Sequence, residues 1–314
     1  MKYKAASVQT EQARERKGIK RLAADIMFNP SAYILVAVVM VYYIVFHYLP
    51  MYGVIIAFKN FSPAKGILGS QWIGLEHFKM FFGSDYAWRV IRNTLQISFY
   101  TLVFGFPVPI MLALLINEVR NTHFKKLVQT FSYLPHFIST VVICGMLVDF
   151  CARDGLFGTV LGIHENLLSV PEFFKTIFVG SGIWQTAGWN TIIYLAALTG
   201  IDTGLYEAAK IDGAGRFRQT LAVTIPGIMP TIVTLLILQI GRVMNVGFEK
   251  IILLYNPLTY ETADVISSFV YRKGLIEFNY GYSTAVGLFN SVINFLLVVL
   301  ANSISWRVND TSLW

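Results

Sequence analysis

Between Ser31 and Leu49 the chain carries no Asp, Glu, Lys or Arg. About 20 such residues, wound as a helix, cross the hydrocarbon core of a bilayer. Lipid offers the backbone no hydrogen-bond partners, so a run of this kind must be helical. Further runs follow at Val90–Ile116, Phe137–Phe150, Ile177–Thr199, Ile228–Gly247 and Thr284–Ser303, the third being short and ending near Asp149, Arg153 and Asp154. The pattern predicts an all-α integral membrane protein with about six transmembrane helices. Only 14% of the 314 residues are charged, against about 25% in soluble domains. Residues 1–30 precede the membrane domain at 31–306, and 307–314 follow it as a tail.

Lys and Arg gather on the cytoplasmic side of membrane proteins. Residues 1–30 hold seven of them, 118–136 and 201–227 three each, and the tail holds Arg307. The opposite loops, 51–92, 152–176 and 255–283, hold nine. Both termini are therefore expected in the cytoplasm, with the protein multi-pass in the cytoplasmic (inner) membrane. The net charge of +7 fits this bias. No basic stripe interleaved with stacking aromatics points to nucleic acid.

The thirty residues before Ser31, with Arg14, Arg16, Lys17, Lys20 and Arg21, are too long and too charged for a cleavable signal. Within them Ile19, Leu22, Ala23, Ile26 and Met27 share one helical face. This suits a helix lying in the interface or one packed on protein. Trp72, Phe78, Phe81, Phe82 and Trp88 in the first outer loop suit an interfacial aromatic belt or ligand contact. Cys144 and Cys151, seven residues apart, share a helix face without being near enough to bridge, and are expected as packing residues.

The loop from Gly200 to Pro226 is the most informative segment. Asp202 or Thr203 can cap a helix, Glu207 favours the positive end of its dipole, and Ala208, Ala209 and Lys210 are strong helix formers. Gly213 can take the left-handed conformation that ends a helix. The expectation is a short helix showing an alanine face, a turn, and a second segment ending at Pro226. Such a helix serves either as a linker or as a peg for a partner's groove.

Glu207-Ala208-Ala209, Gly213, then Val223, Ile225 and Pro226 resemble the cytoplasmic signature of binding-protein-dependent ABC importer permeases. In that signature Ile and Leu stand at the positions of Val223 and Ile225. Asp212-Gly213-Ala214 resembles the variant found in carbohydrate importers. Trp72-Ile-Gly-Leu-Glu-His-Phe78, Arg92-Asn-Thr-Leu95, Leu134-Pro135, Asp264-Val-Ile-Ser-Ser-Phe-Val-Tyr271 and Gly281-Tyr-Ser-Thr-Ala285 resemble the same family. Phe248-Glu-Lys250 through Asn256-Pro257 resembles a subgroup handling large saccharides, alginate among them. The resemblance spans about residues 30–306.

It implies a type I importer fold whose loop at 201–227 holds a coupling helix seated on an ATP-binding subunit. Glu207, Ala208, Ala209, Asp212, Gly213 and Pro226 would carry that contact. The implied partners are a second homologous permease, two ATP-binding subunits that hold ATP and Mg, an extracytoplasmic solute-binding protein and the saccharide itself. No Gly-x-x-x-x-Gly-Lys-Ser/Thr loop occurs, so no cofactor and no ATP hydrolysis are expected in this chain.

Polar residues inside spans often mark a pathway. Trp189 and Asn190 in the fourth run, Gln239, Arg242 and Asn245 in the fifth, and Asn294 in the sixth are the candidates for a saccharide route, with Gln185, Glu249 and Asn290 beside them. Arg242 suits either a uronate carboxylate or an ion pair, with Glu249 or with the second permease subunit. A secondary transporter would need titratable groups or broken helices at the midplane, and Asp149 and Glu249 lie near run ends instead. A metalloenzyme would need clustered ligands, whereas His47, His77, His123, His136 and His164 are scattered. A same-family permease for a non-sugar solute stays open.

Overall fold

The computed structural model describes residues 26–309, so the amphipathic face proposed for Ile19–Met27 falls largely outside the described residues. The chain forms two compact units, one ending at Ile55 and one beginning at Ile56. In the first unit, α1 (Pro30–Tyr43) starts on Pro30, whose missing N–H falls where a helix has no acceptor for it. It continues through a π-helical turn at Ile44–Tyr48. None of the residues in α1 is buried within the chain, which suits a helix that is apolar all round and meets lipid.

The second unit opens with β1 (Lys59–Asn60), paired antiparallel to β2 (Gln71–Trp72). Next come α2 (Glu76–Phe82), α3 (Asp85–Tyr100) and α4 (Pro107–Glu118). A π turn at Thr101–Gly105 joins α3 to α4 in one 34-residue span, and absorbs Pro107 and Pro109 without ending the helix. Then follow α5 (Thr122–Tyr133), α6 (Thr140–Cys151), α7 (Pro171–Thr199), α8 (Thr203–Ile211) and α9 (Arg216–Gln219). The last elements are α10 (Ile225–Ile240), α11 (Phe248–Leu254), α12 (Tyr260–Ala263), α13 (Ile266–Tyr271) and α14 (Tyr280–Asn309).

By length and composition alone, the described helices account for four or five of the about six expected spans. Four are long and apolar enough to cross a membrane, Pro30–Phe58, Asp85–Glu118, Arg216–Ile240 and Tyr280–Trp306. A fifth counts if the pair Thr122–Phe137 and Thr140–Cys151, bent by 95°, is one span. The short third run is therefore half of a broken element. The fourth run lies in α7, which is about 43 Å long at 1.5 Å per residue. Lys175, Gln185, Thr186 and Asn190 dilute its hydropathy. Those polar groups are affordable because α7 is wrapped by α4, α5, α10 and α12 rather than by lipid.

Two boundaries are also corrected. The fifth run stops at Ile240, not Gly247, and the chain turns through residues 241–247 before α11. Pro226 does not end a segment: it sits in the first turn of α10, and a π turn at Thr220–Thr224 carries the helix past it from Arg216 to Ile240.

The core divides into clusters. Ile143, Leu147, Phe174, Phe178 and Ile251 join α6, α7 and α11, with Cys144 and Cys151 both free and buried among them. Phe81, Val90, Met244, Phe269 and Val286 form a second cluster. Phe81 is thus a core residue, whereas Trp72 and Trp88 remain exposed.

Candidate functional site

The loop after α7 folds by local rules. Asp202 Oδ1 accepts the backbone N–H of Gly204 at 2.9 Å and caps α8. At the other end Gly213 has φ +77°. Its N–H donates to Lys210 O at 3.1 Å, and Ala214 N–H reaches back to Ala209 O at 2.9 Å. Both bonds satisfy carbonyls that the helix end would leave bare. Only glycine takes this backbone without penalty, since a side chain in left-handed geometry costs about 1–2 kcal/mol.

No residue of α8 is buried. Glu207, Ala208, Asp212 and Gly213 are exposed, and Ile211 and Phe217 are 87% and 79% exposed. The loop is nevertheless held in place. Tyr206 Oη lies 3.0 Å from Thr224 Oγ1, Gln219 Nε2 donates to Ala214 O at 2.7 Å, and Arg216 pairs with Glu118 at the end of α4. A positioned helix with satisfied ends and an uncovered apolar rim is suited to dock on another protein.

A cavity of about 980 Å³ lies between α4, α7, α10 and the 241–247 turn. Asn190, Gln239, Arg242 and Asn245 line it, with Gln185 and Glu249. Trp189 and Asn294 do not. Trp189 stacks on His136 at 4.5 Å and 5° between planes. Asn294 serves the broken end of α10, donating to Gly241 O and accepting the Met244 N–H at 3.4 Å. That amide is the reason an apolar run can stop at Ile240: it takes the backbone groups the helix releases. Asn290 in turn donates to Asn245 Oδ1 at 3.3 Å.

Arg242 is in the turn rather than in a helix, and it is exposed to the cavity. Among the described residues it makes no ion pair, with Glu249 or any other carboxylate. Lys250 also lines the cavity and was missed as a site residue, although a lysine inside Phe248-Glu-Lys-Ile-Ile-Leu-Leu254 was a visible signal. It is buried, donates to Phe178 O at 3.0 Å and lies 5.0 Å from the centre of the Phe178 ring.

Residues 105–310 match the family described as the binding-protein-dependent transport system inner membrane component. The chain belongs to this family. Among curated relatives of this permease, Protein LplB of Bacillus subtilis is 42% identical over 95% of both chains. The polygalacturonan/rhamnogalacturonan transport system permease protein YteP of the same organism is 41% identical over 94% of both. A permease chain in the crystal structure of a bacterial importer of the acidic polysaccharide alginate superposes with TM-score 0.85. It is 43% identical, with coverage of 92% of this chain and 99% of that one. The MetNI methionine transporter, at 17% identity and TM-score 0.54, shares the fold alone. This permease is therefore the membrane component of an ABC importer of the type I fold, and ATP hydrolysis belongs to separate subunits of such importers.

Proposed function

We propose that this chain is one of two permease subunits of an ATP-driven importer of acidic oligosaccharides in the cytoplasmic membrane. The observation that carries the coupling half of this reading is α8, a capped and anchored helix that buries no side chain of its own. ATP-driven closure of two partner subunits would move it, through Glu207, Ala208, Ala209, Asp212 and Gly213. Pro226 would mark the entry of α10, which receives that motion. A solute-binding protein would deliver the sugar, as in the alginate importer captured with its oligosaccharide-bound periplasmic protein. The orientation read from Lys and Arg places both termini inside.

The cavity supports the substrate class. Asn190, Gln239 and Asn245 offer amides for sugar hydroxyls, and the unpaired Arg242 offers a planar fork for a uronate carboxylate. YteP and the alginate importer handle acidic polymers. Trp189 and Asn294 enter this reading as positioning residues around the cavity.

The test is sugar-stimulated ATPase activity of the complete importer in liposomes. Glu207→Lys and Gly213→Val should abolish most of the stimulation while the subunits still co-purify. Full stimulation in both variants would remove the coupling role of α8. Arg242→Gln should slow uptake of an oligogalacturonate about tenfold relative to its carboxyl-reduced form, a loss on the order of one charge-assisted hydrogen bond. Equal uptake of the two sugars by the variant and the parent would return Arg242 to a structural role.

A further inference from the structure

Two cations stand beyond the cavity, at the end of α3 and α7 that the charge bias places outside. Arg92 lies on α3 and Lys175 on the first turns of α7, two residues before the predicted fourth run. Lys175 Nζ donates to Gln96 Oε1, which ties the two helices together. Arg92 Nε is buried and has no hydrogen-bond partner. Among the described residues neither cation pairs with a carboxylate. The buried carboxylate at this end, Asp264, is already taken by Arg272 and Arg89. Glu172 and Glu261 are exposed and make no ion pair with either cation.

Partial burial holds Lys175 below its ordinary pKa, and the nearby charge of Arg92 lowers it further. Two half-buried like charges with no counter-ion destabilise each other. An anion placed between them would reverse that, accepting from the guanidinium fork and from the ammonium together. The pair is also on the route. Phe178 and Val179, one turn along α7 from Lys175, and Ser98, beside Gln96 and Ile97 on α3, belong to the cavity wall. Along the helices, Lys175 is about one turn, ~5.4 Å, and Arg92 about 9 Å outside the wall of the cavity that holds Arg242 and Lys250.

We propose that Arg92 and Lys175 form an outer receiving site for a carboxylate of the incoming saccharide, occupied before the sugar reaches Arg242. This rests on the acidic-oligosaccharide reading above. Cations in file, with the outer pair more solvated than Lys250, would draw an anionic chain inward one unit at a time.

The test is fluorescence anisotropy on the assembled membrane complex in detergent. One probe is a labelled galacturonate pentamer, and the other is the same pentamer with its carboxyls reduced to alcohols. Arg92→Gln/Lys175→Gln should raise Kd for the acidic pentamer about tenfold and change Kd for the reduced one less than about twofold, while Arg92→Lys/Lys175→Arg should keep most of the affinity. Raising the salt should weaken acidic binding to the parent more than to the double Gln variant. Equal weakening of both pentamers would assign the pair to structure or to a protein partner and overturn the site. Unchanged binding of both would overturn it as well. A parent complex that binds the reduced pentamer as well as the acidic one would instead overturn the acidic reading, and the receiving site with it.

Discussion

Asp264→Ala should be the most damaging single substitution in the second unit, costing about 3–5 kcal/mol by the measure of buried ion pairs cut on one side. Asp264 is fully buried. Its two oxygens accept from Arg272 Nη1 at 3.2 Å and Nη2 at 2.6 Å, a bidentate pair. Ser268 Oγ adds a bond at 2.8 Å, and Arg89 stands 3.5 Å away. The same knot ties α12 and α13 to α3: Asn93 Nδ2 donates to the carbonyls of Glu261 and Asp264 at 2.8 and 3.0 Å, and the Ile266 N–H donates to Thr94 Oγ1 at 2.9 Å. Removing the carboxylate leaves Arg272, whose side chain is 16% exposed, without its counter-ion. Asp264→Ala/Arg272→Met should therefore be more stable than Asp264→Ala alone, because the more buried of the two guanidiniums around Asp264 no longer lacks a counter-ion. Thermal unfolding of the detergent-solubilised complex measures both. A single variant as stable as the parent, or a double variant less stable than the single, would show that the pair does not hold these elements together.

That knot was not legible in the sequence. Arg89 and Asp264 are 175 positions apart, and nothing local in either segment says that they meet. Features set by neighbouring residues were legible. Asp202 caps α8 and Gly213 ends it because a side-chain oxygen and a missing Cβ act within one turn. The uncharged run from Ser31 to Leu49 likewise announces α1 by itself. The end of α10 was misread for a physical reason: Val243, Met244 and Val246 keep the run apolar, while Gly241 and Gly247 allow the turn and Asn294, on another helix, pays its hydrogen bonds. Hydropathy counts transfer to lipid and cannot see a polar partner supplied from elsewhere in the fold. The fourth run was legible as α7 although its amides face a cavity and its own protein neighbours, whereas the same blindness hid Lys250, whose ammonium is held by the Phe178 carbonyl.

Two glycines of α7 separate helix propensity from packing, and the expected signs are opposite. An alanine at either should gain about 1 kcal/mol from propensity alone. At Gly180 an added Cβ meets nothing within 4 Å, so Gly180→Ala should be neutral or slightly stabilising. At Gly188 the same atom would stand 2.0 Å from the Ser132 carbonyl oxygen and 2.3 Å from its carbon. These are backbone atoms at the end of α5, where the chain enters the 95° bend, and no rotamer change relieves them. Overpacking of this kind costs about 1–3 kcal/mol or more, which outweighs the propensity gain. The seam cannot open cheaply, because Trp189 stacks on His136 just beyond the end of α5, while Thr191 Oγ1 donates to Pro109 O at 3.3 Å and holds α7 to α4. Gly188→Ala should therefore lower the unfolding temperature of the complex and cut transport, and Gly188→Val should do so more severely. If Gly188→Ala matched Gly180→Ala, the approach of α5 to α7 would be looser than a glycine contact requires. Small residues let helices approach closely where no water drives them together. Here that closeness joins the helix that runs into α8 to the bent pair, so any motion delivered at α8 would reach the cavity wall without slack.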